Sequence, residues 1–238
     1  MKEYVIYPLV VGAKETDQGI MTYLHSYGKR IWIPMYVFYI EGGDKKILVD
    51  TGLEQFMVPP EVSQRYGIEI LEFEDALAKV NLKPEDVEII IHTHLHNDHC
   101  ENDYKCKNAK VYVQKAEFDF FKNPHPVDHR YFSDLLDGMD VITMEGDQEI
   151  VEGISVMLTP GHTPGGQSVI INTAKGKAVI TGFCCNYENF PKVGPPIIPG
   201  VHLNAIDVYE SIHKVKKLGG ILIPLHDLSI GRMRRIPE

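Results

Sequence analysis

The chain has 238 residues and a formal net charge of -9 at pH 7, with 44% hydrophobic and 24% charged residues. These values are ordinary for a globular protein with a large core, and the acidic balance argues against a nucleic-acid or anionic-membrane partner, since both need basic patches. The sequence has no run approaching the roughly 20 apolar residues of a membrane span and no basic-then-apolar export signal at its start, so we expect a cytoplasmic protein.

The first half of the chain contains mostly strand-like patterns. Runs rich in β-branched and aromatic residues predict strands over residues 4–11, 31–40, 46–49, 87–91 and 110–113. Apolar residues at positions 73, 77 and 80, spaced i, i+4 and i+7, predict a helix. A second, shorter helix is predicted over residues 116–121.

The segment that follows the strand at 87–91 has the pattern H-x-H-x-D-H, formed by His94, His96, Asp98 and His99. Neutral imidazole and carboxylate are ligands that suit zinc, iron and similar divalent ions. In extended backbone, residues two apart face the same way, so His94 and His96 can approach one ion. Asp98 and His99 come from the following turn and can point at a second position. His92 lies on the same side, where we expect it to contact ligands rather than act as one.

The second half of the chain continues with short strands separated by Gly, Asn and Asp turns. Strands are predicted over residues 141–143, 149–151, 154–158, 167–171, 178–181 and 221–224. Residues 204–218 predict a helix, with Asn204 as its N-cap and Gly219 ending it. Many strands with few helices favour two sheets packed face to face and covered by helices, in a single domain over residues 1–238.

Two further histidines follow predicted strands. His162 comes after the strand at 154–158, and His226 comes after Pro224 at the end of the last strand. A histidine in such a place can also be a core or capping residue. Because three strands deliver histidines to loops, we expect one shared site. His94, His96 and His162 would bind one metal, and Asp98, His99 and His226 the other.

Asp50 ends a third strand in the sequence Asp50-Thr51-Gly52. It could orient a metal-bound imidazole through a hydrogen bond, which is the usual partner of such rings. It could equally form an Asx turn, and the sequence leaves both open.

Together these segments resemble the metallo-β-lactamase superfamily, in which the H-x-H-x-D-H motif is characteristic. The resemblance extends over residues 48–52, 94–99, 159–162, 181–182 and 224–227. It implies a four-layer αβ/βα sandwich of two mixed sheets with a dinuclear site between them. Residues 187–190 and 225–227 look most similar to the N-acyl homoserine lactonase branch. That branch has a tyrosine near position 187, which makes Tyr187 a candidate oxyanion donor.

The sequence departs from that family at the position of its bridging aspartate. The aspartate is expected after Thr181-Gly182, where this chain has Phe183-Cys184-Cys185. Cys184 could act as a thiolate ligand, which would favour zinc, or one metal position could be weak or empty. Cys184 could also be a small buried apolar residue. Strand alternation directs Cys184 and Cys185 to opposite faces, so we expect at most one of them to face the metals.

The predicted chemistry is attack of a metal-bound hydroxide on the carbonyl of a small molecule, with Asp98 holding the water or passing its proton to the leaving group. The resemblance favours a lactone, and a glyoxalase II-type thioester is an alternative. We expect one or two zinc ions, with iron or manganese as alternatives. The missing bridge also allows a mononuclear iron dioxygenase of the persulfide-dioxygenase type, and a third hypothesis is a non-catalytic metal-binding module.

The substrate pocket is expected to be formed by loops over residues 16–30, 57–66 and 123–137, and the last of these has little apolar periodicity. Its shape and the substrate's identity do not follow from the sequence. The oligomeric state is equally open, and a homodimer is one arrangement that the resemblance allows.

Overall fold

The computed structural model describes residues 2–54 and 58–238. Its strands are β1 Val5–Asp17, β2 Arg30–Glu41, β3 Ile47–Val49, β4 Ile89–Ile91, β5 Lys110–Gln114, β6 Asp140–Met144, β7 Gln148–Val151, β8 Ile154–Leu158, β9 Gln167–Thr173, β10 Gly176–Ile180 and β11 Ile221–Ile223. Its α-helices are α1 Gln18–Met21, α2 Pro60–Tyr66, α3 Phe73–Ala78, α4 Asn97–Cys100, α5 Lys115–Lys122 and α6 Ala205–Leu218. Short 3₁₀ turns cover Pro84–Asp86, Asp103–Lys105, Tyr187–Asn189 and Ile230–Arg232.

The described strands form two mixed sheets. The first has the order β1-β2-β3-β4-β5-β6, antiparallel from β1 to β3 and parallel from β3 to β6. The second has the order β11-β10-β9-β8-β7, with only the β10–β11 pair parallel. Two antiparallel pairings separate β8 from β10, so β8, β10 and β11 all run in the same direction. Their carboxyl ends therefore lie at one edge of the second sheet.

Apolar residues from both sheets form the central core, which shows that the sheets pack face to face. Phe38 and Ile40 of the first sheet belong to the same buried cluster as Val169 and Ile171 of the second. In β2 the alternate residues, Val37 and Tyr39, face outward into another cluster, as the two-residue repeat of a strand requires. A strand covered on both faces has few polar residues, which explains the long apolar run of β2.

Helices cover the outer face of each sheet. Phe73 and Leu77 of α3 and Phe121 of α5 pack on the outer face of the first sheet. Val208 and Ile212 of α6 pack with residues of β8 and β10 on the outer face of the second. The layers are therefore helix, sheet, sheet and helix, which confirms the predicted αβ/βα sandwich. Within the described ranges, no helix is long and apolar enough to span a lipid bilayer.

Most of the predicted elements are present with shifted ends. Asn204 caps α6 as predicted, because its Oδ1 accepts hydrogen bonds from the backbone N–H groups of Ile206 and Asp207. The strand predicted over 4–11 continues to Asp17, since residues 12–17 pair with β2 as far as Arg30. The segment 123–137 contains no α-helix or strand, in agreement with its prediction as a loop. The predicted loop 57–66 instead contains α2, and Met57 lies outside the described residues.

Candidate metal centre

Two groups of three side chains lie where the loops after the strands meet. His94, His96 and His162 form one group, and Asp98, His99 and His226 form the other. Within each group the atoms that could bind a metal lie within 4.8 Å of one another. The groups adjoin, since the ring centroids of His94 and His99 are 4.1 Å apart. The structure thus brings together the same two sets that the sequence predicts.

The topology explains why distant residues converge. The loop after β4 carries His94 and His96, and the short helix α4 carries Asp98 and His99. His162 follows β8 and His226 follows β11. These three strands end at facing edges of the two sheets, so residues separated by more than 100 positions become neighbours.

Each of the five imidazole rings is held through one nitrogen, which leaves the other nitrogen for the cavity. The held atoms are His94 Nδ1 on Thr93 Oγ1 at 3.1 Å, His96 Nε2 on Asp128 at 3.0 Å, His162 Nδ1 on Val201 O at 2.7 Å, His99 Nδ1 on Asp50 at 2.8 Å, and His226 Nδ1 on Pro34 O at 2.9 Å.

These contacts also fix the tautomers. A backbone carbonyl or a carboxylate can only accept, so Nδ1 of His162, His226 and His99 must donate and their Nε2 atoms carry lone pairs. Thr93 gives its hydroxyl hydrogen to Asp50 at 2.7 Å, so its oxygen accepts from His94 Nδ1. His96 is held through the other nitrogen: its Nε2 donates to the Asp128 carboxylate, so its Nδ1 carries the lone pair. When neutral, all five rings therefore present a lone pair, the form in which histidine binds a metal.

Two of these nitrogens have no partner. Nε2 of His99 and Nε2 of His162 are buried and make no hydrogen bond within the described part of the chain. A buried polar atom without a partner is costly, and each such atom calls for an explanation. A cation bound between the rings would satisfy both atoms. The residues present therefore fit a divalent metal.

The electrostatic environment keeps the rings of His94, His162 and His226 neutral. Burial, together with the neighbouring histidines, lowers the pKa of His94 well below its usual range, and the pKa of His162 is lowered in the same way. Burial and the neighbouring His99 lower the pKa of His226 to about 4. Burial alone would raise the pKa of Asp98, but His99 and Lys14 outweigh it and hold that pKa well below its usual range. At neutral pH these three imidazoles are therefore neutral and Asp98 is a carboxylate.

A fully buried network supports His99 from behind. Asp50 accepts hydrogen bonds from His99 Nδ1 and from the Thr93 backbone N–H, and one of its oxygens lies 3.3 Å from His92 Nδ1. His92 Nε2 lies 2.7 Å from Asp103. Burial by itself would lower the pKa of His92. The carboxylates of Asp103 and Asp50 together outweigh burial and raise this pKa to about 10. Asp50 thus orients an imidazole, one of its two predicted roles, and His92 bridges two carboxylates outside both groups.

Another buried carboxylate joins the loops of the first group. Glu117 of α5 accepts from the backbone N–H of Leu95 at 2.9 Å and of Gly165 at 3.0 Å. It also accepts from the Tyr131 hydroxyl at 2.8 Å. One side chain thus holds the loop of His94 and His96 against the loop of His162. Glu117 could not be identified from the sequence, because a single Glu in a short helix carries no pattern.

A cavity of about 190 Å³ opens onto both groups. Besides the six residues of the groups, its described walls are formed by Lys14, Thr16, Ile20, Ile33, Arg130, Cys184 and Val201. Two of the predicted pocket loops thus contribute residues, through Thr16 and Ile20 in one and Arg130 in the other. The described residues of the third, 58–66, do not line it. Lys14, Asp128 and Arg130 were not predicted individually from the sequence, although the last two lie in the predicted loop 123–137.

Cys184, and not Phe183, faces the cavity. Phe183 is fully buried beneath α6, with its ring 6.3 Å from that of Phe190. Cys185 lies in the same buried apolar cluster as Phe183, so only Cys184 of the pair faces the site. The Cys184 thiol lies 3.5 Å from the Met21 sulfur, and burial raises its pKa to about 12. Cys184 therefore places a thiol on the wall of the cavity.

Tyr187 does not reach the site. Its hydroxyl donates to the carbonyl of Leu222 at 2.8 Å, and its backbone N–H donates to Asp227. It is not among the described residues that line the cavity. The prediction of Tyr187 as an oxyanion donor is corrected accordingly, because its donor is already bonded to the backbone of β11.

Comparison with known proteins agrees with this geometry. A family model described as the metallo-beta-lactamase superfamily matches residues 31–182. An N-acyl homoserine lactonase from a Bacillus species is 31% identical over 181 residues, covering 71% of each chain. One from Bacillus cereus is 29% identical over 198 residues, covering 78% of each.

A solved structure is also similar over the full length. It is an N-acyl homoserine lactone hydrolase with the product N-hexanoyl-L-homoserine bound at its catalytic metal center. The two chains share 25% identity with a TM-score of 0.79, covering 100% of this chain and 99% of the other. The family model spans more than half of the sequence and the fold agrees over its whole length. The chain therefore belongs to the metallo-β-lactamase superfamily, with N-acyl homoserine lactonases among its relatives.

Proposed function

We propose that this protein is a metal-dependent hydrolase that opens the ring of a small lactone. The observation that carries the proposal is the convergence of two three-residue groups, with lone pairs of neutral imidazoles directed into one cavity. The lactonase relatives and the product-bound hydrolase support a lactone as the substrate class.

The proposed ligands are His94, His96 and His162 for one ion and Asp98, His99 and His226 for the other. Nitrogen and carboxylate donors in these numbers suit zinc, with iron and manganese as alternatives. When bound, such ions supply a water that ionises near neutral pH and polarise a carbonyl. We add Cys184 as a further ligand, since it lines the same cavity and its thiolate would favour zinc.

Asp98 is the proposed proton carrier. Its Oδ1 lies 3.8 Å from His99 Nε2, and its Oδ2 lies 3.2 Å from the Lys14 ammonium. The low pKa keeps it a carboxylate, which can hold the attacking water by a hydrogen bond. From this position it can pass the proton to the ring oxygen that leaves as an alcohol.

The test is metal analysis of the purified protein, combined with lactone hydrolysis before and after chelation. We expect two ions per chain and loss of turnover on chelation, restored by zinc. His96→Ala should lower turnover more than about 100-fold. His25→Ala, which removes an exposed histidine, is the matched control. Full turnover by metal-free protein would contradict the proposal.

The same measurement separates the alternative functions. The lack of a carboxylate at positions 183–185 makes the mononuclear iron dioxygenase the second candidate, because without a bridging ligand one metal position could be weak or empty. One iron per chain with oxygen uptake would identify that enzyme, and two zinc ions exclude it. Turnover of thioesters alone would indicate a glyoxalase II-type hydrolase. Tight metal binding without any turnover would indicate a binding module.

The proposal treats residues 1–238 as one domain, which the core shared by both sheets supports. A cytoplasmic location and a homodimer stay predictions.

A further inference from the structure

Two cationic side chains reach the cavity of a protein whose net charge is -9. They are Lys14, from β1, and Arg130, from the loop between α5 and β6. We infer that the substrate is a small lactone carrying a carboxylate, and that Lys14 and Arg130 bind this anionic group. The inference rests on the proposed lactonase function and adds the charge and size of the substrate.

Lys14 retains donors for a ligand. An ammonium group has three N–H donors. One of them is used on Asp98 Oδ2 at 3.2 Å, and the side chain is 51% exposed. The other donors can therefore reach a molecule in the cavity. The carboxylate of Asp98 fixes where the ammonium lies, beside the group formed by Asp98, His99 and His226.

Arg130 is held rigidly with one nitrogen to spare. Its Nε donates to Asp128 Oδ1 at 2.7 Å and its Nη2 donates to Asp128 Oδ2 at 2.6 Å. Asp128 in turn accepts from His96 Nε2 at 3.0 Å. Among the described residues Nη1 has no hydrogen-bond partner, and Arg130 lines the cavity, so this nitrogen can donate to a ligand. Such a preorganised donor loses little entropy when it binds a carboxylate.

The charges within the cavity favour an anion. Among the described lining residues the only carboxylate is Asp98, a proposed metal ligand. The cavity wall thus carries two cations, Lys14 and Arg130, and one carboxylate, while Asp128 pairs with Arg130 from outside the lining. A carboxylate on the substrate would form strong charge-assisted hydrogen bonds with the remaining N–H donors of Lys14 and Arg130, and a neutral group would not.

The cavity size limits the substrate. Its volume of about 190 Å³ is below the 300–1,000 Å³ typical of pockets that enclose drug-sized ligands. The aliphatic part of the described wall is short and consists of Ile20, Ile33 and Val201. A five-membered lactone ring with a carboxylate attached matches these dimensions, with the ring against the apolar wall and the carboxylate toward the cations.

The test compares γ-butyrolactone γ-carboxylate with its neutral γ-carboxamide, which has the same shape. We expect the wild-type protein to prefer the carboxylate at least about tenfold in kcat/KM, as charge-assisted hydrogen bonds imply. Lys14→Gln should reduce this preference about tenfold, mainly through KM, and Lys14→Arg should restore most of it. Lys45→Gln removes an exposed lysine on the β2–β3 turn and should leave the ratio unchanged.

A second pair of variants avoids the contact between Lys14 and Asp98, in case Lys14→Gln loses metal. Thr16 lines the cavity two residues from Lys14 on the same side of β1. Thr16→Asp adds a negative charge and should lower the preference for the carboxylate. Thr16→Asn, of the same size without charge, should retain it. Metal content is measured for every variant.

Each outcome has a distinct meaning. Equal kcat/KM for the two lactones, or equal ratios in Thr16→Asp and Thr16→Asn, overturns the inference and leaves the proposed function intact. Hydrolysis of N-acyl homoserine lactones but of neither small lactone also overturns the inference and leaves the proposed function intact. If the metal-loaded protein hydrolyses no lactone of either kind, the proposed function itself fails.

Discussion

Asp50 Oδ2 lies 2.8 Å from Nδ1 of His99, and this contact decides which nitrogen of that ring faces the cavity. Burial alone would raise the pKa of Asp50, but His99 and His92 lower it to about 2. Asp50 thus supplies a fixed negative charge directly behind one proposed metal ligand. Such a partner orients the ring and increases its basicity toward a metal.

We predict that Asp50→Asn weakens one metal position selectively. Asn tolerates the positive φ of 57° at this residue, so the backbone is retained. The amide has one acceptor oxygen and no charge, so it cannot serve His99 and Thr93 as the carboxylate does. Affinity for the ion held by Asp98, His99 and His226 should fall roughly 10–100-fold. The measurement is zinc titration of metal-free protein against a competing chelator. Asp44→Asn, at an exposed turn, is the control, and two unchanged affinities would contradict the prediction.

A second prediction concerns Glu117, whose carboxylate accepts three hydrogen bonds. In Glu117→Gln the amide NH₂ faces an N–H or O–H donor, so at least one buried donor loses its acceptor. We expect a loss of about 2–4 kcal/mol in the free energy of unfolding, together with weaker binding of the ion held by His94, His96 and His162.

The matched control is Tyr131→Phe, which removes one of the three donors and leaves the carboxylate in place. It should cost about 1 kcal/mol. Denaturant unfolding and metal titration check both variants. A Glu117→Gln variant with normal zinc affinity would show that the carboxylate stabilises the fold without positioning the loops.

The site could be predicted from the sequence where its residues follow strands. His94, His162 and His226 each come directly after an apolar run, and parallel strand ends bring such loops together. Lys14 and Arg130 could not be found this way. Lys14 meets Asp98 across 84 positions, and a polar residue in the second half of β1 gives no local signal.

The outcomes at positions 183, 184 and 187 depend on backbone direction. Which residue of a loop faces a cavity is set by that direction, and a shift of one residue reverses it. Phe183 packs beneath α6, and Cys184 lines the cavity. The hydroxyl of Tyr187 donates to Leu222 instead of reaching the site. The fold was easier to predict, because burial patterns repeat along many strands.

A third prediction concerns the pH dependence of stability in the metal-free protein. The pKa of His92 is about 10 in the folded protein and near 6.5 in an unfolded chain. A raised pKa means that the ion pairs of His92 stabilise the fold fully below about pH 6.5 and are lost as pH rises through about 10. The lowered pKa of Asp50 acts oppositely, so its contribution is lost only as pH falls through about 2.

The measurement is urea unfolding of wild type and His92→Asn at several pH values between 6 and 9.5. We expect the difference in the free energy of unfolding to be largest at pH 6 and to shrink toward pH 9.5. His25→Asn changes an exposed histidine and should give a small difference throughout. A difference for His92→Asn that grows with pH would be inconsistent with a charged imidazolium between Asp50 and Asp103.

The last prediction tests whether the thiol of Cys184 binds metal. A buried thiol with a pKa of about 12 remains protonated without a metal, and a coordinating thiol is deprotonated outright. Protein loaded with Co²⁺ should therefore show an intense near-ultraviolet band from thiolate-to-metal charge transfer. Cys184→Ala should lose this band, whereas Cys106→Ala, which changes a buried cysteine in the outer cluster of the first sheet, should retain it.

Cys184→Asp replaces the thiol with the carboxylate expected from the family resemblance. It should also lose the charge-transfer band but bind two ions at least as tightly, because a shared negative charge reduces repulsion between neighbouring cations. If the wild-type protein lacks the band while binding two ions, Cys184 serves only as a wall of the cavity. The two groups must then hold their ions without any ligand between them, and Asp98 becomes the single carboxylate among the proposed ligands.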